Sequence, residues 1–559
     1  MSGSLRSATR DNAFILTFCG LLLISGSAFG AGGACPSGAN YVNPSNPTGP
    51  LITLAAMGVT NCYYISTSGS DSNDGASEAS GHPWAHLPGM ATWVGSHTPT
   101  AADGFILKGC DVWTNGNFPI MWSWSGTSGN PVAITVDETW YNTTNCPSAW
   151  NRPVWDAQKT VISSNNYFIA PSAGYPDTNY VTLDNIEMVH LEFTASSEGS
   201  AIGVIGATSQ GWTISNNYIH AWDASADNCV LIQGTYEATT SQNDVYEYNV
   251  IDGSDATGVA INNSSGTGVC YAFYTDYNGV KITNNVIRYV VNPFVGYNGA
   301  NGTEIGGNLI EYILSSYQGA SHCNGIESLG GSTFWIHDNV IRNFECGGAE
   351  SMWVGDTANE VDYVWNNVLY GLDYANGSAQ VPNAGENVSG IKVYFWNNTV
   401  VAGASDSSPC LAVASGRNPT SMTVYGQNNH CVTEGSNAID PNFANHGTLV
   451  SSYNLAMSHS TATTDGYTAS QTYAYSPTSA SSPTVGQGTN LASSWPSGFS
   501  TNDTQYGCSY NQSAHTVTCP ARTTNPRPTS GSGNWDIGAY QDPPSTSLLP
   551  PSNVEATAH

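Results

Sequence analysis

One short phrase recurs along the chain: an apolar residue, polar positions ending in Asn, and a second apolar residue two positions on. It first reads Ile214-Ser-Asn-Asn217-Tyr-Ile219 and returns at Asn249, Asn285, Asn308, Asn339, Asn367, Asn398 and Asn429, at intervals of 23 to 36 residues. The apolar positions fall three before the marker (Ile214, Tyr246, Ile282, Ile305, Ile336, Val364, Phe395) and two after it (Ile219, Ile251, Ile287, Ile310, Ile341, Leu369, Val400). Alternation with a period of two over so short a run predicts strands, not helices. A third strand-like run follows in many repeats, as in Val230-Leu-Ile232, Gly325-Ile326-Glu-Ser-Leu329 and Met352-Trp-Val354.

Three short strands in about thirty residues predict one coil of an all-β solenoid, a right-handed parallel β-helix with three-strand coils. No coil buries its own apolar face, so coils must stack at a strand spacing of roughly 4.8 Å. The marker asparagines then have a structural role. Asn tolerates a left-handed bend between strands, and its amide can bond to the equivalent Asn above and below.

The repeat places the solenoid at residues 62–437, preceded by a leader at 31–61. Beyond it lie an irregular C-terminal cap at 438–542, expected over the last open edge, and a Pro/Ser-rich tail at 543–559. Only 9% of residues are charged, and Gly, Ser, Thr, Asn and Tyr fill the polar positions, which suits an all-β chain. The net charge of −29 argues against nucleic acid and anionic membrane as partners. It also repels a polyuronate unless Ca²⁺ bridges the two.

Arg6 and Arg10 precede an apolar run to Ile24 and small residues at Ser27-Ala28-Phe29-Gly30, the pattern of a signal peptide over residues 1–30. No later stretch is apolar enough to span a bilayer, so an exported, monomeric product is expected. Of 13 cysteines, Cys19 lies in the signal, and the remaining even number suits an oxidising compartment. Consecutive pairing would join Cys35 to Cys62, Cys110 to Cys146, Cys229 to Cys270, Cys323 to Cys346, Cys410 to Cys431 and Cys508 to Cys519.

Two terminal motifs carry a resemblance. Tyr63-Tyr-Ile-Ser-Thr-Ser-Gly-Ser-Asp71-Ser-Asn-Asp74-Gly75 and, near the end, Arg527-Pro followed by Trp535-Asp536-Ile-Gly-Ala-Tyr540 resemble the opening and closing of secreted β-helix proteins of the pectate-lyase-like superfamily. With the repeats between them, the resemblance spans roughly residues 62 to 541 and implies an extracellular polysaccharide as partner. The members of that superfamily include lyases, glycoside hydrolases and non-catalytic proteins. Asp227-Asn228-Cys229 and Ser321-His322-Cys323-Asn-Gly325 are partial echoes of polygalacturonase motifs, but the second Asp and the His-Gly junction are missing, which argues against that activity.

Side chains at equivalent positions of successive coils form outer columns, and a functional groove must be built from them. Three residues after each marker the column reads His220, Asp252, Arg288, Glu311, Arg342 and Tyr370. Alternating signs make this a structural charge ladder. Acidic residues near the third strand supply candidate chemistry: Asp227, Asp255, Glu327 and Glu350, with His322 beside them and Lys281 as a candidate base. Paired carboxylates from neighbouring coils suit glycoside hydrolysis, whereas carboxylates holding Ca²⁺ with a Lys or Arg base suit a lyase. Asp71, Asn73 and Asp74 offer oxygen ligands for Ca²⁺, with a turn-forming role as the simpler reading. Trp122, Trp124, Trp140, Trp150 and Trp155 are read first as padding of the early coils. The rival to a carbohydrate-active protein is a non-catalytic stalk, adhesin or glycan-binding protein.

Overall fold

The computed structural model describes residues 33–36, 53–141, 151–162, 166–171, 176–194, 199–204, 206, 208–224, 229–234, 242–255, 270–276, 278–295, 302–314, 324–328, 330–345, 350–372, 380–511, 516–529 and 533–542. Strands from successive coils pair in parallel in four sheets on three faces, with Gly33–Ala34 added antiparallel at one edge. Sheet 1 has 14 strands running from Gly33–Ala34 to Gly447–Ser452, and sheet 2 has 13, from Val112–Thr114 to Leu455–Met457. The third face is divided between sheet 3, with six strands from Ile120–Trp122 to Asn292–Val295, and sheet 4, with four from Ile326–Glu327 to Ala412–Val413. The chain is a right-handed parallel β-helix.

The two apolar positions of the phrase face the lumen. Ile214, Tyr246, Ile282, Ile305, Ile336, Val364 and Phe395 stack in register on sheet 1 and are all fully buried. Each such side chain contributes about 1.5–3 kcal/mol of burial, which a single coil could not collect.

The asparagines form a continuous ladder inside the corner between sheets 1 and 2. Asn249 Nδ2 donates to the Ile214 carbonyl at 2.8 Å and to Asn285 Oδ1 at 3.0 Å, while the Asn249 backbone N–H donates to the same oxygen at 2.9 Å. The pattern repeats to Asn429, whose N–H and Nδ2 donate to Asn454 Oδ1 at 2.9 and 3.0 Å. Asn454 extends the ladder beyond the last marker of the repeat. The bend itself falls one residue earlier than expected. Asn216, Tyr248, Asn284, Gly307, Asp338, Asn366, Asn397 and Asn428 adopt the left-handed conformation, which leaves each marker amide free to point inward.

The C-terminal segment runs back along the outside of sheet 2. Asn428 Nδ2 donates to the Thr489 carbonyl at 2.8 Å, Asn366 Nδ2 to the Asn502 carbonyl at 3.0 Å, and Tyr510 OH to Asp252 Oδ2 at 3.0 Å, so progressively earlier coils are met before the chain returns to Asn397, whose Nδ2 donates to the Asp536 carbonyl at 2.9 Å. The reason lies one residue after each marker. Tyr218, Val250, Val286, Leu309, Val340 and Val368 form an apolar outer column, buried against Tyr506, Val517, Ala539 and Tyr540. The closing motif serves this docking: Gly538, at φ 91°, lies so close to Thr399 and His430 that a Cβ there would clash.

Cys35–Cys62, Cys229–Cys270, Cys410–Cys431 and Cys508–Cys519 are disulfides as the consecutive pairing predicts. The other two pairings involve Cys146, Cys323 and Cys346, outside the described residues. Trp122, Trp140 and Trp155 are buried and Trp124 packs on the same core, while Trp150 lies outside the described residues. Among the described residues no helix is long and apolar enough to cross a membrane.

Candidate functional site

The candidate residues fall on three different faces. Asp227 and His322 lie outside the described residues. Asp255 follows the sheet 2 strand Val250–Asp252, where Asp255 Oδ2 lies 2.9 Å from His220 Nδ1; His220 Nε2 lies 3.0 Å from Glu187 Oε1. Burial works against a charge on His220, but the hydrogen bonds to Asp255 and Glu187 outweigh it and raise the imidazole to about 9. Burial likewise works against a charge on Asp255, yet its bond to His220 prevails and holds the carboxyl below its ordinary range. The result is an ion pair flanking Tyr218, whose ring stacks on His220 at 3.9 Å.

Lys281 points out from sheet 1, and its Nζ lies 3.1 Å from Glu304 Oε2. Glu304 also meets His337 Nε2 at 3.3 Å, and Asp338 Oδ2 lies 2.8 Å from His337 Nδ1. Against the penalty of burial, His337 and Lys281 bring Glu304 down to about 2, and the two carboxylates raise His337 to about 9. Lys281 is thus engaged in a charge network on one face, while Asp252 and Asp255 belong to another.

The column three after the marker forms the ladder its alternating signs predict. Arg288 Nε lies 3.7 Å from Asp252 and 3.4 Å from Glu311, and Arg342 Nε donates to Glu311 at 2.6 Å. Tyr510 covers one end from the C-terminal segment, which marks these charges as structural.

Glu327 and Glu350 come together on the outer face of sheet 4. Ile326, Met352, Val354 and Ala384 point into the lumen, so Glu327, Trp353 and Asn383, paired side by side on three successive coils, point outward. Glu350 stands on the same coil as Trp353, one coil after Glu327, with its N–H donating to Asn324 Oδ1 at 3.2 Å, and its Oε1 accepts from Asn383 Nδ2 at 2.9 Å. Arg417 lies 5.3 Å from the centre of the Trp353 ring and pairs with Glu386 at 3.0 Å. The indole Nε1 of Trp353 has no hydrogen-bond partner among the described residues.

Two further acids were not singled out by pattern. Glu360 and Asp362 lie fully buried where sheet 4 turns into sheet 1. Glu360 accepts from Ser328 Oγ at 2.7 Å, Gly355 N–H at 3.2 Å and Thr357 N–H at 2.8 Å. Burial pushes Glu360 up to about 7, and Asp362, buried beside it, is raised further, so the pair keeps a proton. Asp362 occupies the inward column between Phe334 and Val393, where the repeat elsewhere predicts an apolar residue. That break in the pattern was the available signal.

The oxygen ligands offered by the opening motif are already used. Asp71 accepts from the Ala85, His86 and Val94 N–H groups and bonds to His86 Nδ1, and Asp74 accepts from Ala76 N–H and bonds to His82 Nδ1. The motif folds a turn. Among the described residues no group of three or more His, Cys, Asp or Glu is arranged to hold a metal ion.

Fold and surface together define a β-helix with charged outer faces and one aromatic-centred carboxylate pair. No family model and no curated protein matches the chain. Among solved structures it is similar to pectate lyase Pel9A, at 16% identity and a TM-score of 0.43 over 86% of this chain and 96% of that one. It is also similar to a mutant of the PL6 family alginate lyase AlyGC (11%, 0.39, 64% and 49%) and to a GH136 lacto-N-biosidase from Eubacterium ramulus (15%, 0.38, 71% and 67%).

Proposed function

We propose that this protein is an exported glycoside hydrolase acting on an uncharged polysaccharide at the outer face of sheet 4. The observation that carries the reading is the row Glu327, Trp353, Asn383, with Glu350 bound to Asn383. Trp353 and Glu327 are each 7% exposed and Arg417 lies over the indole, so a sugar would reach the two carboxyl groups at the edge of this row rather than on the open face of the ring. One glutamic acid protonates the departing glycosidic oxygen while the other carboxylate takes a proton from the attacking water. Carboxyl groups drawn from neighbouring coils reach the separations used by both retaining and inverting hydrolases. The net charge of −29 favours a neutral substrate over a polyuronate. Four disulfides suit an oxidising, extracellular setting.

The test is a screen of the purified protein on neutral glycans, pectate and alginate, following reducing ends and unsaturated uronate absorbance. Reducing ends from a neutral glycan, lost by about 100-fold or more in Glu327→Gln and Glu350→Gln, support the proposal. Unsaturated uronate, or binding without products, would replace it with a lyase or a glycan-binding protein.

A further inference from the structure

Counting back four residues from the markers gives an outer column of sheet 1 that begins with Lys281 and Glu304 and then turns aromatic: Trp335, Tyr363, Tyr394 and Tyr425, followed by Val450. The tyrosine rings are almost parallel. Tyr363 and Tyr394 are 4.6 Å apart at 6°, and Tyr394 and Tyr425 are 4.8 Å apart at 4°. All four aromatic residues are half-buried, and Val450 is 36% exposed. Phe499 and Ala492 of the C-terminal segment border the stripe, packing with it against the buried cluster of Trp365, Trp396 and Trp495.

Stacking of one ring on the next accounts for the faces of these rings but leaves their hydroxyls unexplained. The hydroxyls of Tyr363, Tyr394 and Tyr425 make no hydrogen bond to any described residue, and burial together with its two neighbours holds the Tyr394 hydroxyl in its neutral, donating form. The outer edge therefore presents one phenol per coil, each able to donate and to accept. The stripe extends over roughly 20 Å from Trp335 to Val450, counted as four coil spacings.

We propose that this stripe holds a long uncharged polysaccharide chain lying parallel to the solenoid axis, with one phenol hydroxyl meeting each successive sugar unit. The inference rests on the carbohydrate reading above but concerns a different face, present on the same coils as Trp353 and Asn383. Three features favour this occupant. An extended glycan advances by about one coil spacing per sugar, so tyrosines whose ring centres repeat every 4.6–4.8 Å stay in step with it. The column carries no charge from Trp335 to Val450, whereas the protein as a whole repels anions. A peptide adding to a sheet needs a free strand edge, and the stripe lies on a face.

The experiment compares the wild type with the triple variant Tyr363→Phe/Tyr394→Phe/Tyr425→Phe, which keeps every ring and removes only the hydroxyls. Both are run in affinity electrophoresis through neutral glucans and mannans, with pectate as the charged control. The wild type should be retarded by a neutral polymer, and the triple variant should bind about 30-fold more weakly or worse, as expected for three lost hydrogen bonds. Its thermal midpoint and its cleavage of short soluble oligosaccharides should match the wild type. If the triple variant loses its fold, Tyr394→Phe alone provides the same comparison at about fivefold. Absence of retardation by every neutral glycan, or equal retardation of wild type and variant, overturns the proposal. Loss of cleavage in Glu327→Gln with retardation intact would separate this surface from the sheet 4 face.

Discussion

Removing the charge of Glu311 tests whether the outer ladder of sheet 2 holds the C-terminal segment in place. Glu311 is buried, and its two oxygens serve Arg288 at 3.4 Å and Arg342 at 2.6 Å. Glu311→Gln preserves the shape but leaves Arg288 with Asp252 alone and Arg342 with only the Tyr370 hydroxyl. At an effective dielectric near 20, a charge pair at 3.4 Å is worth about 5 kcal/mol before desolvation is subtracted. Breaking one side of such a buried pair costs about 3–5 kcal/mol. Two things reduce that figure. Arg342 has 29% of its side chain exposed and can recover water, and Arg288 lies 5.1 Å from the ring centres of Tyr289, Tyr312 and Tyr510. The expected loss is about 3 kcal/mol. It should be visible as a lower denaturant midpoint and as early proteolysis at the hairpin formed by Ser509–Asn511 and Thr516–Thr518. A midpoint within about 0.5 kcal/mol of wild type, with the hairpin equally protected, would refute the ladder as a structural clamp.

Asn339→Ala should cost about 3 kcal/mol or more, because the Nδ2 bonds to Ile305 O and Asn367 Oδ1 and the acceptor for the Asn308 N–H all vanish inside the wall; the unfolding midpoint measures it. Stability should be greatest in mild acid and fall as pH rises. His220 and His337, raised to about 9, contribute stability fully below their ordinary value near 6.5 and lose it through 9. Glu360, raised to about 7, favours the fold while protonated, and that contribution declines between its ordinary value and 7. Melting curves from pH 5 to 10 should therefore show a falling midpoint, and Glu360→Gln should flatten the lower half of the profile; a midpoint that rises with pH would contradict both assignments.

The solenoid was legible because its physics is repetitive. A lumen that must be apolar at every coil writes the same residues in the same register, and Asn at one corner satisfies the same buried groups each time. The charge ladder was readable for the same reason, since a column lists itself once the marker fixes the count. The course of the C-terminal segment was misjudged although Val250, Val286, Leu309, Val340 and Val368 signalled it: apolar residues at outward positions require a cover. Glu327 and Glu350 are proposed on their chemistry alone, and Trp353 beside them reads in the sequence as a strand residue. Asp255 and Lys281 looked adjacent in sequence distance from one another, but consecutive strands of a coil face different directions, so proximity along the chain separates rather than joins them. The stripe from Trp335 to Tyr425 was equally visible in the same count, four before each marker, and only the structure shows its tyrosine rings stacked in register.

The most direct test of the functional account is the anomeric outcome of catalysis on a neutral glycan, followed by proton NMR from the first turnover. The account predicts a hydrolysed product of one anomeric configuration, absent in both Glu327→Gln and Glu350→Gln. An unsaturated product, or undiminished turnover in both variants, would contradict it.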